Sequence, residues 1–67
     1  MKTLKIFNNL NLPNLKYLDL SSNNIMNCEI ISKYTTLEVL KLSRNKILTL
    51  KPLKKLTKLR ELYVDSN

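Results

Sequence analysis

The chain repeats one apolar pattern every 22 residues, and few folds accommodate that. The stretch Leu37-Glu-Val-Leu40-Lys-Leu42-Ser-Arg-Asn45-Lys-Ile47 has the form L-x-x-L-x-L-x-x-N-x-I. Twenty-two residues earlier stands Leu15-Lys-Tyr-Leu18-Asp-Leu20-Ser-Ser-Asn23-Asn-Ile25, and twenty-two later Leu59-Arg-Glu-Leu62-Tyr-Val64-Asp-Ser-Asn67. A unit this short cannot bury an apolar face alone. It can do so by stacking on copies of itself, so the period points to a solenoid in which each repeat touches its neighbours.

Within each unit the spacing assigns the parts. Leu18 and Leu20 are two apart and so share one face of a short strand, as do Leu40 with Leu42 and Leu62 with Val64. Strands returning every 22 residues are expected side by side and parallel, near residues 17–19, 39–41 and 61–63, which requires a crossover between them. The crossovers carry inward residues at steps of three, Ile25, Cys28, Ile31 and Tyr34, then Ile47, Leu50, Leu53 and Leu56. That step suits a short helix or a 3₁₀ turn, and Pro52 can stand at its first position because its missing N–H is no loss there. The expected fold is α/β, a right-handed superhelix of strand and crossover units. Its strands line a concave side, and its helical or 3₁₀ segments lie on the convex side.

The array is expected to occupy residues 1–67, with repeats at 15–36 and 37–58 and an incomplete one at 59–67. Residues 1–14 are read as a partial repeat or an N-terminal cap. Ile6 and Leu12 align with Cys28 and Tyr34, whereas Leu4, Phe7 and Leu10 instead follow the step of a helical turn. Pro13 ends any helix before Leu15. Asn67 closes a strand, which leaves Leu59 to Val64 as an edge for further repeats or a capping partner to cover.

Asn23, Asn45 and Asn67 recur just after each strand, where the chain turns sharply and exposes backbone groups that need partners. An amide offers two donors and an acceptor, so the three are expected to form a structural ladder between loops. None of the sequences Asn14-Leu-Lys, Asn23-Asn-Ile and Asn45-Lys-Ile is a glycan acceptor, because the Ser or Thr is missing.

These residues resemble the leucine-rich repeat superfamily across residues 12 to 67. The matching set is Leu37, Leu40, Leu42, Asn45, Ile47, Leu50, Leu53, Leu56 and Leu59, with their equivalents 22 earlier. The period is similar to that of the protein phosphatase-1 regulatory-subunit subclass, which includes the axonemal dynein light chain, the spliceosomal A-prime protein and tubulin-folding cofactors. The stretch from Leu12 to Asn23, with Pro52-Leu-Lys-Lys-Leu56, also resembles the acidic nuclear phosphoproteins. The resemblance implies protein binding through the concave face. Function lives in the variable surface positions, not in the leucines.

Those positions can be read from the alternation. The outward residues are Tyr17, Asp19 and Ser21, then Val39, Lys41 and Ser43, then Glu61, Tyr63 and Asp65. Lys16, Glu38 and Arg60 fall in one row of alternating charge, and Asp19 falls beside Lys41. Tyr17, Asp19, Val39, Lys41, Glu61 and Tyr63 are the candidate partner-binding residues, with the tyrosines as anchors.

The formal net charge is +7, and its distribution decides what it means. The strand side carries Lys16, Lys41, Arg44 and Arg60 against Asp19, Glu38, Glu61 and Asp65, whereas the other eight lysines face only Glu29. A convex lysine patch could attract nucleic acid or an acidic surface, and a solvated face from lysine-rich composition is the favoured alternative.

Catalysis has little material. There is no His and no Gly, and the acids are interleaved with lysines, so no cofactor, metal or enzymatic activity is expected. Cys28 aligns with Leu50 and is expected in the core. One cysteine permits no internal disulfide, and no apolar run is long enough for a membrane span, so an intracellular protein, cytoplasmic or nuclear, is expected. The functional expectation is a non-catalytic protein-interaction module with a regulatory or scaffolding role. Its alternative is a structural segment of a longer array.

Overall fold

The computed structural model describes residues 10–67. The helical or partial-repeat readings at Leu4, Ile6 and Phe7 lie outside the described residues. Three strands, β1 (Tyr17–Asp19), β2 (Val39–Lys41) and β3 (Glu61–Tyr63), form one parallel sheet in the order β1-β2-β3. Register follows the period, with Leu18 opposite Leu40 and Leu40 opposite Leu62. Three parallel strands with short crossovers fit a leucine-rich-repeat-like fold.

Both crossovers are 3₁₀ helices, Glu29–Lys33 and Lys51–Lys55, the tighter of the two forms expected. The step of three explains this. Ile31 N–H donates to Cys28 C=O, Tyr34 to Ile31 and Leu37 to Tyr34, and the series repeats from Leu50 through Leu53 and Leu56 to Leu59. Bonds spanning three residues place every third side chain on one line, which is how the sequence spaces its apolar residues. The two crossovers pack on each other as the strands do. Pro52 stands second in its helix, after Lys51, where the backbone still has no partner to lose.

The core lies between sheet and crossovers. Ile25, Ile31, Leu37, Leu40 and Leu42 are fully buried, and Cys28, Tyr34, Leu53 and Leu56 nearly so. Several residues read as inward or outward behave otherwise, among them Leu62, read as inward and 40% exposed. Leu50, expected inside, is 40% exposed, with no further crossover among the described residues lying over it. Leu12 is exposed as well, although its repeat equivalent Tyr34 is buried. Ser43, expected outside, is buried and donates its hydroxyl to Asp65 Oδ1.

Each strand is followed by a left-handed residue, Ser22 (φ 61°), Arg44 (φ 55°) or Ser66 (φ 59°), and then by the asparagine. Asn45 Nδ2 donates to Leu20, Leu42 and Ser43 carbonyls at 3.0, 2.8 and 3.3 Å. Its Oδ1 accepts the N–H groups of Asn23 and Ile25 at 2.9 and 3.0 Å. Asn67 repeats these offsets one unit on, donating to Leu42, Val64 and Asp65 and accepting from Ile47 N–H. Asn23 donates to Leu20 and Ser21 carbonyls.

Candidate functional site on the strand face

Parallel register converts the 22-residue period into rows across the sheet. One exposed row is Tyr17, Val39 and Glu61, and the next is Asp19, Lys41 and Tyr63. Neighbouring strands lie ~4.8 Å apart, so all six candidate partner-binding residues fall within a patch three strands wide. Tyr17 and Tyr63 are 54% and 42% exposed, while Val39 and Lys41, on the central strand, are half-buried.

Lys41 is clasped between the tyrosines. Its Nζ lies 5.4 Å from the Tyr17 ring centroid and 5.3 Å from that of Tyr63. An ammonium at that distance is attracted by the ring's quadrupole, worth about 0.5–1 kcal/mol per contact at an exposed site. The Lys41 pKa is held above the ordinary ammonium value, first by hydrogen bonding with the Tyr17 hydroxyl and then by charge interactions with Tyr17 and Asp19.

The carboxylates around it are all engaged within the chain. Asp19 accepts the Ser21 N–H at 3.0 Å, a bond that is the largest cause of its lowered pKa. Glu61 accepts the Tyr63 hydroxyl at 2.6 Å and thereby pushes the phenol's pKa up. Asp65 accepts the Ser43 hydroxyl, which lowers its pKa. Glu38 meets Arg60 at 3.7 Å, an exposed pair worth at most ~1 kcal/mol. Lys16, the third member of that row, contributes its backbone instead, its carbonyl accepting the Glu38 and Val39 N–H groups.

Reading the rows from sequence anticipates which residues share the patch but misses the insertion of Lys41 between two rings. The signal lay in the offsets. Residue 63 is one period after 41, and residue 17 is two before the Lys41 equivalent, Asp19, on the same face of β1. The bond from Arg44 Nε to Ser22 Oγ at 2.8 Å, again one period apart, was missed for the same reason.

Chemically, the patch offers flat aromatic surface, one doubly stacked cation and satisfied carboxylates. Cys28 is buried, its thiol pKa pushed up by desolvation and its Sγ 3.5 Å from the Thr49 carbonyl. Among the described residues no group of His, Cys, Asp and Glu is placed to hold a metal ion. No helix of the described residues is long and apolar enough to cross a membrane.

A family model described as Leucine Rich repeat matches residues 11–27 and 34–49. The two matches cover β1 and β2 with the turns that follow them, and they support the leucine-rich repeat family for this chain. Leucine-rich repeats generally mediate protein–protein interaction and are generally non-enzymatic. No curated protein matches the chain.

Proposed function

We propose that the chain is a protein-interaction module that engages its partner through the strand face, the concave side of a curved stack. Tyr17 and Tyr63 serve as anchors, while Lys41 and Glu61 fix orientation. The observation that carries this reading is the clasp of Lys41 between two exposed tyrosines on the strands either side of its own. Rings braced on a rigid backbone lose little conformational freedom on binding, and tyrosine is enriched among residues that dominate interface energies. The crossover lysines Lys51, Lys54, Lys55 and Lys58 are exposed and could hold a partner by charge alone, with affinity falling steeply as salt rises.

The two surfaces separate by mutation, using a partner captured from the native source. Tyr63→Ala is expected to weaken binding by about 2 kcal/mol or more. Neutralising the four lysines is expected to slow association and leave dissociation nearly unchanged. Binding abolished by the lysine variant but normal in Tyr17→Ala and Tyr63→Ala would reject the strand-face reading.

A further inference from the structure

The strand face counts four basic against four acidic side chains, yet its acids and bases are not in equivalent states. Asp19, Glu38, Glu61 and Asp65 each already accept a hydrogen bond or ion pair from within the chain. Lys41 lies opposite Asp19 in register, but the ion pair between Arg60 and Glu38 is the one formed among the described residues. The Lys41 ammonium is therefore flanked by rings and contacts no carboxylate. The Lys41 side chain as a whole is half-buried and held between the Tyr17 and Tyr63 rings, so pairing its ammonium costs less ordering than pairing a free surface lysine.

Building on the strand-face reading, we propose that the partner is a protein presenting an acidic segment, one of whose carboxylates seats on the Lys41 ammonium between the Tyr17 and Tyr63 rings. Residues flanking that carboxylate then lie on Val39 and on the ring faces. The surroundings of Lys41 select an isolated carboxylate over a nucleic acid. Asp19 and Glu61 stand beside it, with Asp65 two residues beyond Tyr63. A backbone of closely spaced phosphates would bring several negative charges over these acids, whereas one carboxylate flanked by neutral residues meets only the cation.

The test pans a displayed library of randomised short peptides on the intact chain. Enriched peptides are then measured against wild type, Lys41→Met, Lys41→Arg and the double variant Tyr17→Ala, Tyr63→Ala. Lys41→Met keeps the alkyl stem between the rings and removes the charge, while Lys41→Arg keeps the charge. Enriched peptides are expected to share an Asp or Glu. They should bind Lys41→Met about ten- to a hundredfold more weakly, as losing a charged hydrogen bond predicts, and stay close to wild type on Lys41→Arg. Enriched peptides that lack acids, or that bind Lys41→Met normally while failing on the tyrosine variant, would overturn the acidic-partner proposal and leave the strand face standing. Peptides indifferent to the tyrosine variant but lost when Lys51, Lys54, Lys55 and Lys58 are neutralised would overturn both. Failure to enrich any peptide, or an oligonucleotide of mixed sequence binding in a Lys41-dependent way, also counts against the proposal.

Discussion

The amide of Asn45 ties its own loop to the one before it, and the two ends of that amide are not equally replaceable. Leu20 and Leu42 carbonyls also accept from Asn23 and Asn67, so each keeps a partner if Asn45 is truncated. The N–H of Ile25, a fully buried residue, has Asn45 Oδ1 as its acceptor. Asn45→Ala is therefore expected to cost about 1–3 kcal/mol, chiefly through that stranded donor, read as a lowered urea midpoint. The neighbouring Asn24 provides the control, but only as glycine. Its φ is 58°, so alanine there would cost about 1–2 kcal/mol of backbone strain. Asn24→Gly should be neutral or slightly stabilising, and equal midpoints for Asn45→Ala and Asn24→Gly would refute the ladder's importance. The ladder asparagines were legible because they recur with the period. The left-handed conformations were not, because the chain contains no glycine to mark them, and Ser22, Arg44 and Ser66 carry no such signal. What holds these residues there is non-local. Ser22 N–H donates to the Ser43 carbonyl and Arg44 N–H to that of Asp65, one repeat away.

Leu18, Leu40 and Leu62 occupy one position in three copies of a pattern, yet the strands treat them differently. Leu40, between the other two, is fully buried, Leu18 is half-buried and Leu62 is 40% exposed. Truncation removes contacts in proportion to burial, so Leu40→Ala should destabilise by about 2–5 kcal/mol. Leu62→Ala should fall well below that, with Leu18→Ala between. Thermal or urea unfolding of the three variants tests the order, and three equal losses would contradict it. Periodicity makes strand position and inward direction legible, and it made the 3₁₀ crossovers legible through the step of three. It is blind to place in the stack, which is why Leu50 is exposed where Cys28, its equivalent, is buried beside Thr49. The candidate site divides the same way. Its six residues follow from alternation and register, whereas the clasp of Lys41 depends on side-chain directions along a diagonal that no single repeat contains.

Among the described residues, crossover packs on crossover and strand on strand only between consecutive units. The first crossover packs on the second, β1 on β2 and β2 on β3, with no direct contact between β1 and β3. Cooperativity in such an array is a chain of nearest-neighbour couplings, so one end can open while the rest stays folded. The two ends are not equally secured. On the first repeat, Tyr34 donates its hydroxyl to the Leu10 carbonyl at 3.1 Å and Thr36 donates to that of Leu15 at 2.6 Å, tying residues 10–15 to the first crossover and the loop after it. On the third repeat, Glu61, Leu62 and Tyr63 are all exposed, and besides the strand ladder and Asn67 the attachment consists of the Ser43–Asp65 bond, the exposed Arg60–Glu38 pair and the half-buried Leu59 and Val64. Opening should therefore start at β3. Native-state hydrogen exchange can read this, because Leu42 and Arg44 amides donate to carbonyls of the third repeat, Tyr63 and Asp65, at 2.7 and 3.0 Å. Leu20 and Ser22 amides make the equivalent bonds to Lys41 and Ser43 at 2.8 and 2.9 Å. Bonds of like length at like positions should thus differ in protection, with Leu42 and Arg44 exchanging faster than Leu20 and Ser22. A single opening free energy shared by all four amides would show instead that the three repeats unfold as one unit.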